Sequence, residues 1–328
     1  MSVIGRGTVF GPLVIAYLFL GGAGAGACVL ASAIGLLVPA AEMAGADKGR
    51  LEVPGEYRRL LAPSLVVAVG AVGVGVFCLL ADLGNPTAAL GILANGLGSW
   101  ANVGVVALVS CVVVSLLQLV LLEFVQGVRV CLLRMLQVLG IVAGLLAAAY
   151  TGLLLGDMSG APFWHSPWLP VLFALSACNC GYAVFTASAV LSGARDSFVS
   201  TLPRFVPVSA LFILLEAAAL TCFVSLCGTG GGDVALATAS ASVAKLLTGN
   251  LSVLFWVGVV FAGLLVPFAM ELLAMRFGEA SPYRSCVHVL VSALSSLVGA
   301  LCLRYCVVMA GMHPFLGLLG VAGVSLGL

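Results

Sequence analysis

The sequence predicts an all-α integral membrane protein with eight transmembrane helices. Of its 328 residues, 62% are hydrophobic and only 8% are charged, whereas about 25% of the residues in ordinary soluble domains carry a charge. The apolar residues form eight stretches, each close to the ~20 residues that a helix needs to cross a bilayer. These stretches and their short connections use almost the whole chain, so no sizeable soluble domain and no extramembrane catalysis are expected.

Each apolar stretch ends at glycine, proline or charged residues, which places the expected helices in order along the chain. They lie near residues 11–38, 62–83, 100–125, 136–156, 168–192, 205–227, 250–274 and 286–312. A signal peptide is the alternative for the first stretch, because Arg6 precedes it and small residues follow it. The stretch is long, rich in glycine and without a polar cleavage region, which favours a helix that stays in the membrane.

Lysine and arginine are distributed unevenly between the loops. Ten of the thirteen lie in or beside the loops after the first, third, fifth and seventh helices: Lys48, Arg50, Arg58, Arg59, Arg129, Arg134, Arg195, Arg204, Arg276 and Arg284. Only Arg6 and Lys245 lie on the other side, and Arg304 lies within the last helix. Because cytoplasmic loops carry the excess of positive charge, both termini are expected on the outer, periplasmic side of the cytoplasmic (inner) membrane.

Charge and cysteine usage argue against two kinds of site. The net charge is only +1, so the protein lacks the basic surface that nucleic-acid binding requires. Most of the eleven cysteines lie in apolar runs and are expected to be small buried residues. The pairs Cys178/Cys180 and Cys302/Cys306 have no histidine or carboxylate at zinc-like spacing, so no metal site is expected.

The three histidines argue against a haem held by this chain. His165 falls in an outer loop, and His288 and His313 lie at opposite ends of the last expected helix. At a rise of ~1.5 Å per residue the latter two are separated by roughly 37 Å, too far apart to serve as the two axial ligands of one haem. Electrons that pass through such a protein must therefore move between a lipid-soluble carrier and a cofactor held by another protein.

A run of glycine and alanine at 21–27 lies in the middle of the first expected helix. It does not follow a strand, and a phosphate would not be stable at that depth, so nucleotide binding is not expected. Gly22 and Gly26 leave one helix face without side-chain bulk. Such a face allows a neighbouring helix to approach closely, and a flat ligand is the alternative occupant.

Few ionisable residues lie inside the expected helices, and each is a functional candidate because burial of a charge is costly. Glu216 and Arg304 lie within the sixth and eighth helices, and pairing would reduce the cost of burying them. Asp82 lies at the carboxyl end of the second helix, where the helix dipole disfavours an anion. It is a proton-relay candidate together with that pair, with a solvated helix end as the alternative. Glu123 and Glu271 lie close to the cytoplasmic boundary and are expected to be interfacial.

Tyr17 and Tyr150 reach a similar depth near the outer ends of the first and fourth helices. Tyrosines at this level commonly form the interfacial aromatic belt, or they could donate hydrogen bonds to a quinone carbonyl. Trp100, Trp164 and Trp168 are also expected at the outer interface, where tryptophan anchors helices.

Several short segments, taken in order, resemble the NrfD/polysulfide reductase family of membrane subunits. They are Tyr17-Leu-Phe-Leu-Gly-Gly-Ala-Gly-Ala-Gly26, Asp82-Leu-Gly-Asn-Pro86, Gly98-Ser-Trp100, Tyr150-Thr-Gly-Leu-Leu-Leu with Pro162-Phe-Trp164 and Pro167-Trp-Leu-Pro170, and Leu303-Arg-Tyr305 near Ala310-Gly311. Together they cover nearly the whole chain.

This resemblance implies two four-helix bundles, residues 1–160 and 161–328, in one continuous membrane domain. It implies no haem and no metal in this chain, and a site for menaquinone or ubiquinone at the outer end of the first bundle. It also implies an iron–sulfur, ferredoxin-like subunit docked on the outer face, which links to a molybdopterin or multihaem catalytic subunit.

The resemblance assigns residues within the quinone site. Tyr150 matches the family tyrosine that contacts the quinone head, and Tyr17 matches a position that is histidine in polysulfide reductases. Gly22 and Gly26 would line the adjacent groove. An asparagine that also binds quinone in that type is matched here by Val14, so one polar contact is missing. Trp100, Trp164 and His165 are candidates for docking the partner subunit.

The expected function is therefore that of a membrane anchor that exchanges electrons between quinone and an iron–sulfur partner, without catalysing the terminal reaction itself. A proton-translocating or scaffolding subunit without a functional quinone site is the first alternative. A secondary transporter is the second, but the sequence has neither a clear repeat between its halves nor a polar cluster at the midplane.

Overall fold

The computed structural model describes residues 11–39, 51–83, 100–124, 129–157, 161–192, 195–227, 233–277 and 282–312. This part of the chain is built from helices joined by short connections. The helices are α1 (Pro12–Leu37), α2 (Gly55–Leu83), α3 (Trp100–Glu123), α4 (Val130–Gly156), α5 (Trp168–Leu191), α6 (Arg195–Leu226), α7 (Asp233–Leu247), α8 (Leu254–Leu265, continued by Val266–Phe277) and α9 (Pro282–Gly311). A single 3₁₀ turn, Pro162–Trp164, precedes α5.

Eight of the described helices are long and apolar enough to cross a membrane, which confirms a multi-pass membrane protein. Their apolar windows have mean hydropathies between 1.5 and 2.9. Several helices continue beyond the stretches that hydropathy outlines: α2 begins at Gly55 and α4 at Val130. Backbone hydrogen bonding continues past the membrane boundary, where polar residues become acceptable, so the helices are longer than their apolar parts.

The helix α7 was not expected from the sequence. At 15 residues it is too short to span a bilayer, and it packs against the turn Pro162–Trp164 and against α9. Lys245 in its last turn donates hydrogen bonds to the carbonyl oxygens of Met309 and Met312, at 2.7 and 3.2 Å. These carbonyls end α9 and lack partners within the helix, so the lysine of α7 satisfies them.

The helices α1 and α5 form the centre of the array. In each, 78% of the apolar window is buried inside the protein, against 28–50% in the other spanning helices. They cross at Gly26 and Gly181, where a Cβ atom on either residue would overlap the backbone of the other helix. The small residues of α1 thus allow the backbone contact that places α1 and α5 together.

The helix α8 has an unusual first half. Leu254–Leu265 is π-helical, a geometry with i→i+5 hydrogen bonds and more residues per turn than the α-helix. Residues five apart therefore come close to the same face, and Gly258 and Gly263 both face α9, against Cys302 and Gly299. This geometry allows the two helices to pack with their backbones in close approach.

We call the end of the array where α1 begins the Gly11 end, and the opposite end the Leu37 end. At the Leu37 end, Arg134 of α4 donates hydrogen bonds to the carbonyls of Gly35, Leu36 and Val38. A cation at a helix carboxyl terminus is favourable because it faces unpaired carbonyl groups and the negative end of the dipole. Arg134 therefore ties α4 to the end of α1.

Glu123 lies at the same end and forms a partly exposed ion pair with Arg58, with 3.6 Å between Oε2 and Nε. The partial exposure of Glu123 agrees with the interfacial position expected for it. Glu271 differs, because only 1% of its surface is exposed, and the expectation of an interfacial side chain is wrong for it. Neighbouring helices enclose Glu271 on every side, which a reading of its depth along α8 does not reveal.

Candidate functional site

Tyr17 of α1 and Tyr150 of α4 lie side by side near the Gly11 end. Their side chains are 0% and 4% exposed, so both rings lie inside the protein rather than in an interfacial belt. The two hydroxyl groups are close enough to interact, yet the Tyr17 hydroxyl has no hydrogen-bond partner of normal geometry among the described residues. A buried hydroxyl without a partner is costly, which makes this pair a candidate site for a ligand acceptor.

Glycines shape the surroundings of the tyrosine pair. The Tyr150 ring lies directly against Gly104 of α3, where any side chain would overlap the ring. Gly21 lies beside the Tyr17 ring, and a Cβ there would be 3.6 Å from Cε2. Gly104 was not singled out from the sequence, because a lone glycine in an apolar helix does not indicate what it packs against. The available signal was its place in α3, a few residues after the segment Gly98-Ser-Trp100 that resembles the NrfD/polysulfide reductase family.

Gly22 and Gly26, expected beside the quinone, contact other parts of the protein. Gly22 lies against the guanidinium group of Arg304, and Gly26 lies against the backbone of Ala177 and Gly181 in α5. The space left by these two glycines is thus filled by protein in this structure. Their position agrees with helix packing, the alternative use of small residues in this run.

Arg304 of α9 is fully buried, with 0% exposure. Its Nε donates to the carbonyl of Leu18 at 2.9 Å, and its Nη1 donates to the carbonyl of Ala300 at 3.0 Å and to Ser176 Oγ at 3.2 Å. The guanidinium carbon lies 5.4 Å from the centre of the Phe173 ring, within the range of a cation–π interaction. Nη2 has no partner among the described residues, so one donor of a buried cation stays available.

Glu216 of α6 is buried as well, at 6% exposure. Its Oε2 accepts a hydrogen bond from Asn179 Nδ2 at 2.9 Å, and Ser176 lies within hydrogen-bonding reach of the carboxylate. Glu216 and Arg304 interact electrostatically but do not form the direct ion pair that the sequence suggested. Ser176 contacts both, so the two charges are linked through a hydroxyl group of α5.

Asp82 lies in the last turn of α2, beside the start of α1. Its Oδ1 would be 2.8 Å from a Cβ atom on Gly11, the residue that caps α1. A carboxylate is favourable at a helix amino terminus, where unpaired N–H groups and the positive end of the dipole lie. The start of α1 therefore offsets the unfavourable dipole of α2, while the side chain stays exposed.

The three residues expected to dock a partner lie in different environments. Trp164 is 4% exposed, and its Nε1 donates to the carbonyl of Val307 at 3.0 Å. It also packs against Gly311, so its ring ties the turn before α5 to α9 and is not available on the surface. His165 is exposed, with Nδ1 3.1 Å from the carbonyl of Ala161. The side chain of Trp100 lies outside the described residues.

A second buried carboxylate lies near the Leu37 end. Oε1 of Glu271 accepts hydrogen bonds from Ser209 Oγ of α6 at 3.2 Å and from Ser292 Oγ of α9 at 3.1 Å. The Tyr182 hydroxyl of α5 lies beside the carboxylate. Sequence reasoning missed this cluster, since its four members come from four helices and no local pattern joins them.

Comparison with known proteins places the chain in a family. Residues 4–315 match the family model described as "Polysulphide reductase, NrfD". The protein is 27% identical over 317 residues to a subunit of the polysulfide reductase of Wolinella succinogenes, covering 92% of this chain and 93% of that protein. It is 31% identical over 327 residues to "Protein NrfD" of Escherichia coli strain K12, again covering 92% and 93%. The family match covers nearly the whole chain and agrees with the eight apolar helices, and the protein therefore belongs to the polysulfide reductase NrfD family of membrane proteins.

Proposed function

We propose that this protein is the membrane subunit of an oxidoreductase complex and exchanges electrons between a membrane quinone and an extrinsic iron–sulfur subunit. The quinone, menaquinone or ubiquinone, supplies the redox chemistry, and the protein supplies hydrogen bonds and proton access. The proposal rests on membership of the family, which includes a subunit of a polysulfide reductase. It places the protein in a cytoplasmic membrane, with the Gly11 end facing outward.

The observation that carries the quinone site is the pair Tyr17 and Tyr150. The Tyr17 hydroxyl is buried without a hydrogen-bond partner among the described residues and lies next to a second buried hydroxyl, so the pair offers donors to a ligand that brings its own acceptor. A quinone carbonyl is such an acceptor, and it arrives from the bilayer without needing an aqueous path. Gly104 lets the Tyr150 ring lie against α3, and so orients its hydroxyl toward Tyr17.

Asp82 lies over the start of α1, and Tyr17 lies five residues after Pro12, the first residue of that helix. At ~1.5 Å per residue, the carboxylate is roughly 8 Å above the tyrosine pair. It is exposed, so it can exchange protons with water at the Gly11 end. Asp82 is thus the candidate relay to the outer face, with His165 on the same face as the candidate contact for the iron–sulfur subunit.

The test is quinone binding by single hydroxyl deletions. Tyr150→Phe and Tyr17→Phe keep the rings and remove the donors, so each is expected to weaken binding of a fluorescent quinone analogue by about fivefold to tenfold, the loss of one hydrogen bond. Tyr305→Phe is the matched control, because Tyr305 is 38% exposed and belongs to α9, not to the helices that carry the pair. Binding is measured in detergent-purified protein by fluorescence quenching.

Unchanged affinity in both Tyr17→Phe and Tyr150→Phe would contradict the site. Affinity purification in mild detergent tests the rest of the proposal. A cysteine-rich iron–sulfur protein and an extracted quinone are expected to copurify with the tagged protein, and a third subunit would name the terminal substrate. A protein that purifies alone and without quinone would contradict the electron-transfer function.

The second candidate function is a proton-translocating or scaffolding subunit without a quinone site. It is favoured by the buried side chains of Glu216 and Arg304, which belong to α6 and α9 rather than to the helices that carry the tyrosine pair. Full activity of the assembled complex in Glu216→Gln would argue against a role in proton transfer. An active complex that contains no quinone would favour this candidate over the first.

A further inference from the structure

Glu271 has no part in the function proposed above, and its surroundings are unusual for a carboxylate. It is 1% exposed, and the groups that face it are hydroxyls: Ser209 of α6, Ser292 of α9 and Tyr182 of α5. The only titratable group among them is Tyr182. No lysine or arginine forms an ion pair with Glu271 among the described residues. An ionised carboxylate without a counter-ion is costly in such a site, so burial favours the neutral, proton-bound form of the carboxyl.

The same surroundings can also stabilise the ionised form of the Glu271 carboxyl. Both serine hydroxyls already donate to Oε1, and hydrogen bonds from neutral donors stabilise a carboxylate. Oε2 has no partner among the described residues, and neither has the Tyr182 hydroxyl beside it. The Tyr182 hydroxyl lies beside the carboxylate, so it can accept a proton from Oε2, or donate one to it, once the two groups move into hydrogen-bonding range.

The distances indicate a proton rather than a metal cation. The serine oxygens lie 3.1 and 3.2 Å from Oε1, which is a hydrogen-bond distance with the hydroxyl hydrogen pointing at the carboxylate. In a cation site, about six or more oxygens would instead turn their lone pairs to one point roughly 2.0–2.6 Å away. The Glu271 cluster supplies fewer oxygens, and its serines are turned toward the carboxylate.

Buried polar residues continue from this cluster toward Glu216 on three helices. Ser209 and Glu216 are seven residues apart on α6, which places them on one face about 10 Å apart along the axis. On α9, Ser296 is buried one turn beyond Ser292. On α5, Asn179 lies one turn before Tyr182 and bonds Glu216. We use the name polar row for the buried polar residues between Glu271 and Arg304: Tyr182, Ser209, Ser292, Ser296, Asn179, Glu216 and Ser176.

The polar row runs from the neighbourhood of His288, at the Leu37 end, to Arg304 beside α1. At the Leu37 end, His288 lies one turn before Ser292 on α9, and its buried Nδ1 has no partner among the described residues. At the other end, Ser176 contacts Arg304, whose Nε bonds the carbonyl of Leu18. Leu18 directly follows Tyr17, so the row ends at the backbone of α1 next to Tyr17. The titratable groups that face Glu216 are Arg304, Cys178 and Cys180.

We propose that Glu271 is a proton-binding site and that the polar row carries protons between it and Glu216, toward the tyrosine pair. Oxidation of a quinol releases two protons with its two electrons, and reduction of a quinone takes up the same number. The polar row gives these protons a route to the Leu37 end, opposite to the route past Asp82. The destination of the route rests on the proposed quinone site, whereas proton binding by Glu271 does not.

Infrared difference spectroscopy on the purified protein tests proton binding directly. The C=O stretch of a protonated carboxyl is separate from carboxylate bands, and Glu271→Gln is expected to remove one such band at neutral pH. Glu123→Gln is the matched control, because Glu123 is paired with Arg58 at the surface and should leave the band intact. Tyr182→Phe is expected to keep the band and shift its frequency, since it removes only the neighbouring hydroxyl.

An unchanged carboxyl spectrum in Glu271→Gln would overturn the proposal. The proposal would also be overturned if the band were present in choline chloride and lost in sodium chloride, because that result would indicate a cation site. If Glu271→Gln does not fold, an unshifted band in Tyr182→Phe is the overturning result.

Turnover of the complete complex in proteoliposomes tests the polar row. Glu271→Gln is expected to lower quinol-linked electron transfer by about tenfold or more, as expected for loss of a proton-transfer group, with unchanged quinone content. Full turnover would overturn the row as a route. Loss of quinone from the wild-type complex would instead overturn the proposed function, and the infrared result would then still decide whether Glu271 binds a proton.

Discussion

The tyrosine pair and the polar row differ in the kind of residue that shapes them. The two regions meet at the central helices α1 and α5. The pair lies among glycines and apolar side chains of α1, α3 and α4, with Gly104 against the Tyr150 ring. The polar row lies among α5, α6, α8 and α9 and contains buried ionisable groups, which serine and asparagine side chains satisfy. One region is shaped by removing side-chain bulk and the other by supplying hydrogen bonds. Substitutions should therefore affect the two regions in different ways.

The largest effect on stability is expected from Arg304→Met. The change leaves the carbonyl of Leu18 and the Glu216 carboxylate without their buried cation, and removing one of two interacting buried charges is expected to cost about 3–5 kcal/mol. The midpoint of thermal unfolding in detergent should fall accordingly. The double variant Arg304→Met, Glu216→Gln should be more stable than Arg304→Met alone, because the uncompensated charge is removed. A double variant no more stable than the single one would show that the two charges are not coupled.

A smaller loss of stability is expected from Gly26→Ala, at the crossing of α1 and α5 that joins the two regions. The added methyl group meets the backbone of Ala177, which cannot rotate away, so overpacking should cost about 1–3 kcal/mol. Gly70→Ala is the control, because nothing lies within 4 Å of a Cβ there. The two variants are compared by thermal unfolding, and equal midpoints would contradict the close crossing.

The smallest effect on stability is expected from Gly104→Ala, which instead should affect ligand binding. The methyl group meets the ring of Tyr150, which is a side chain and not backbone, so the cost should lie near the lower end of the range for overpacking, at about 1 kcal/mol. The displaced hydroxyl should weaken binding of the quinone analogue by about as much as Tyr150→Phe does. The expectation would be contradicted if Gly104→Ala bound the quinone analogue with wild-type affinity while Tyr150→Phe bound it more weakly. Binding would then not depend on the position of the Tyr150 ring against Gly104.

The sequence was most informative where a property depends on residues near one another along the polypeptide. Eight apolar stretches predicted eight spanning helices because the hydropathy of ~20 neighbouring residues decides whether a helix crosses the bilayer. The similar depth of Tyr17 and Tyr150 followed from counting turns along two helices, and the structure places them side by side. The helix α7 was missed since its apolar face is short and lies in a connection.

Burial of single side chains could not be predicted in the same way. Glu271 and Glu123 both lie near the Leu37 end, which is the expected cytoplasmic side, yet one is enclosed and the other is paired at the surface. Trp164 looked like an interfacial anchor, and it lies inside against Gly311. Hydropathy does not distinguish a helix face turned to lipid from one turned to protein, since both are apolar.

By itself, the sequence determined that this is a multi-pass membrane protein of the NrfD type, with a pair of tyrosines near one end and few charges in the interior. The tertiary structure decided which helices touch: that Gly26 meets α5, that Gly104 meets Tyr150, and that four helices enclose Glu271. The physical reason is the range of the interactions. Membrane insertion sums the transfer free energies of neighbouring residues, whereas packing and buried hydrogen bonds join residues that only folding brings together.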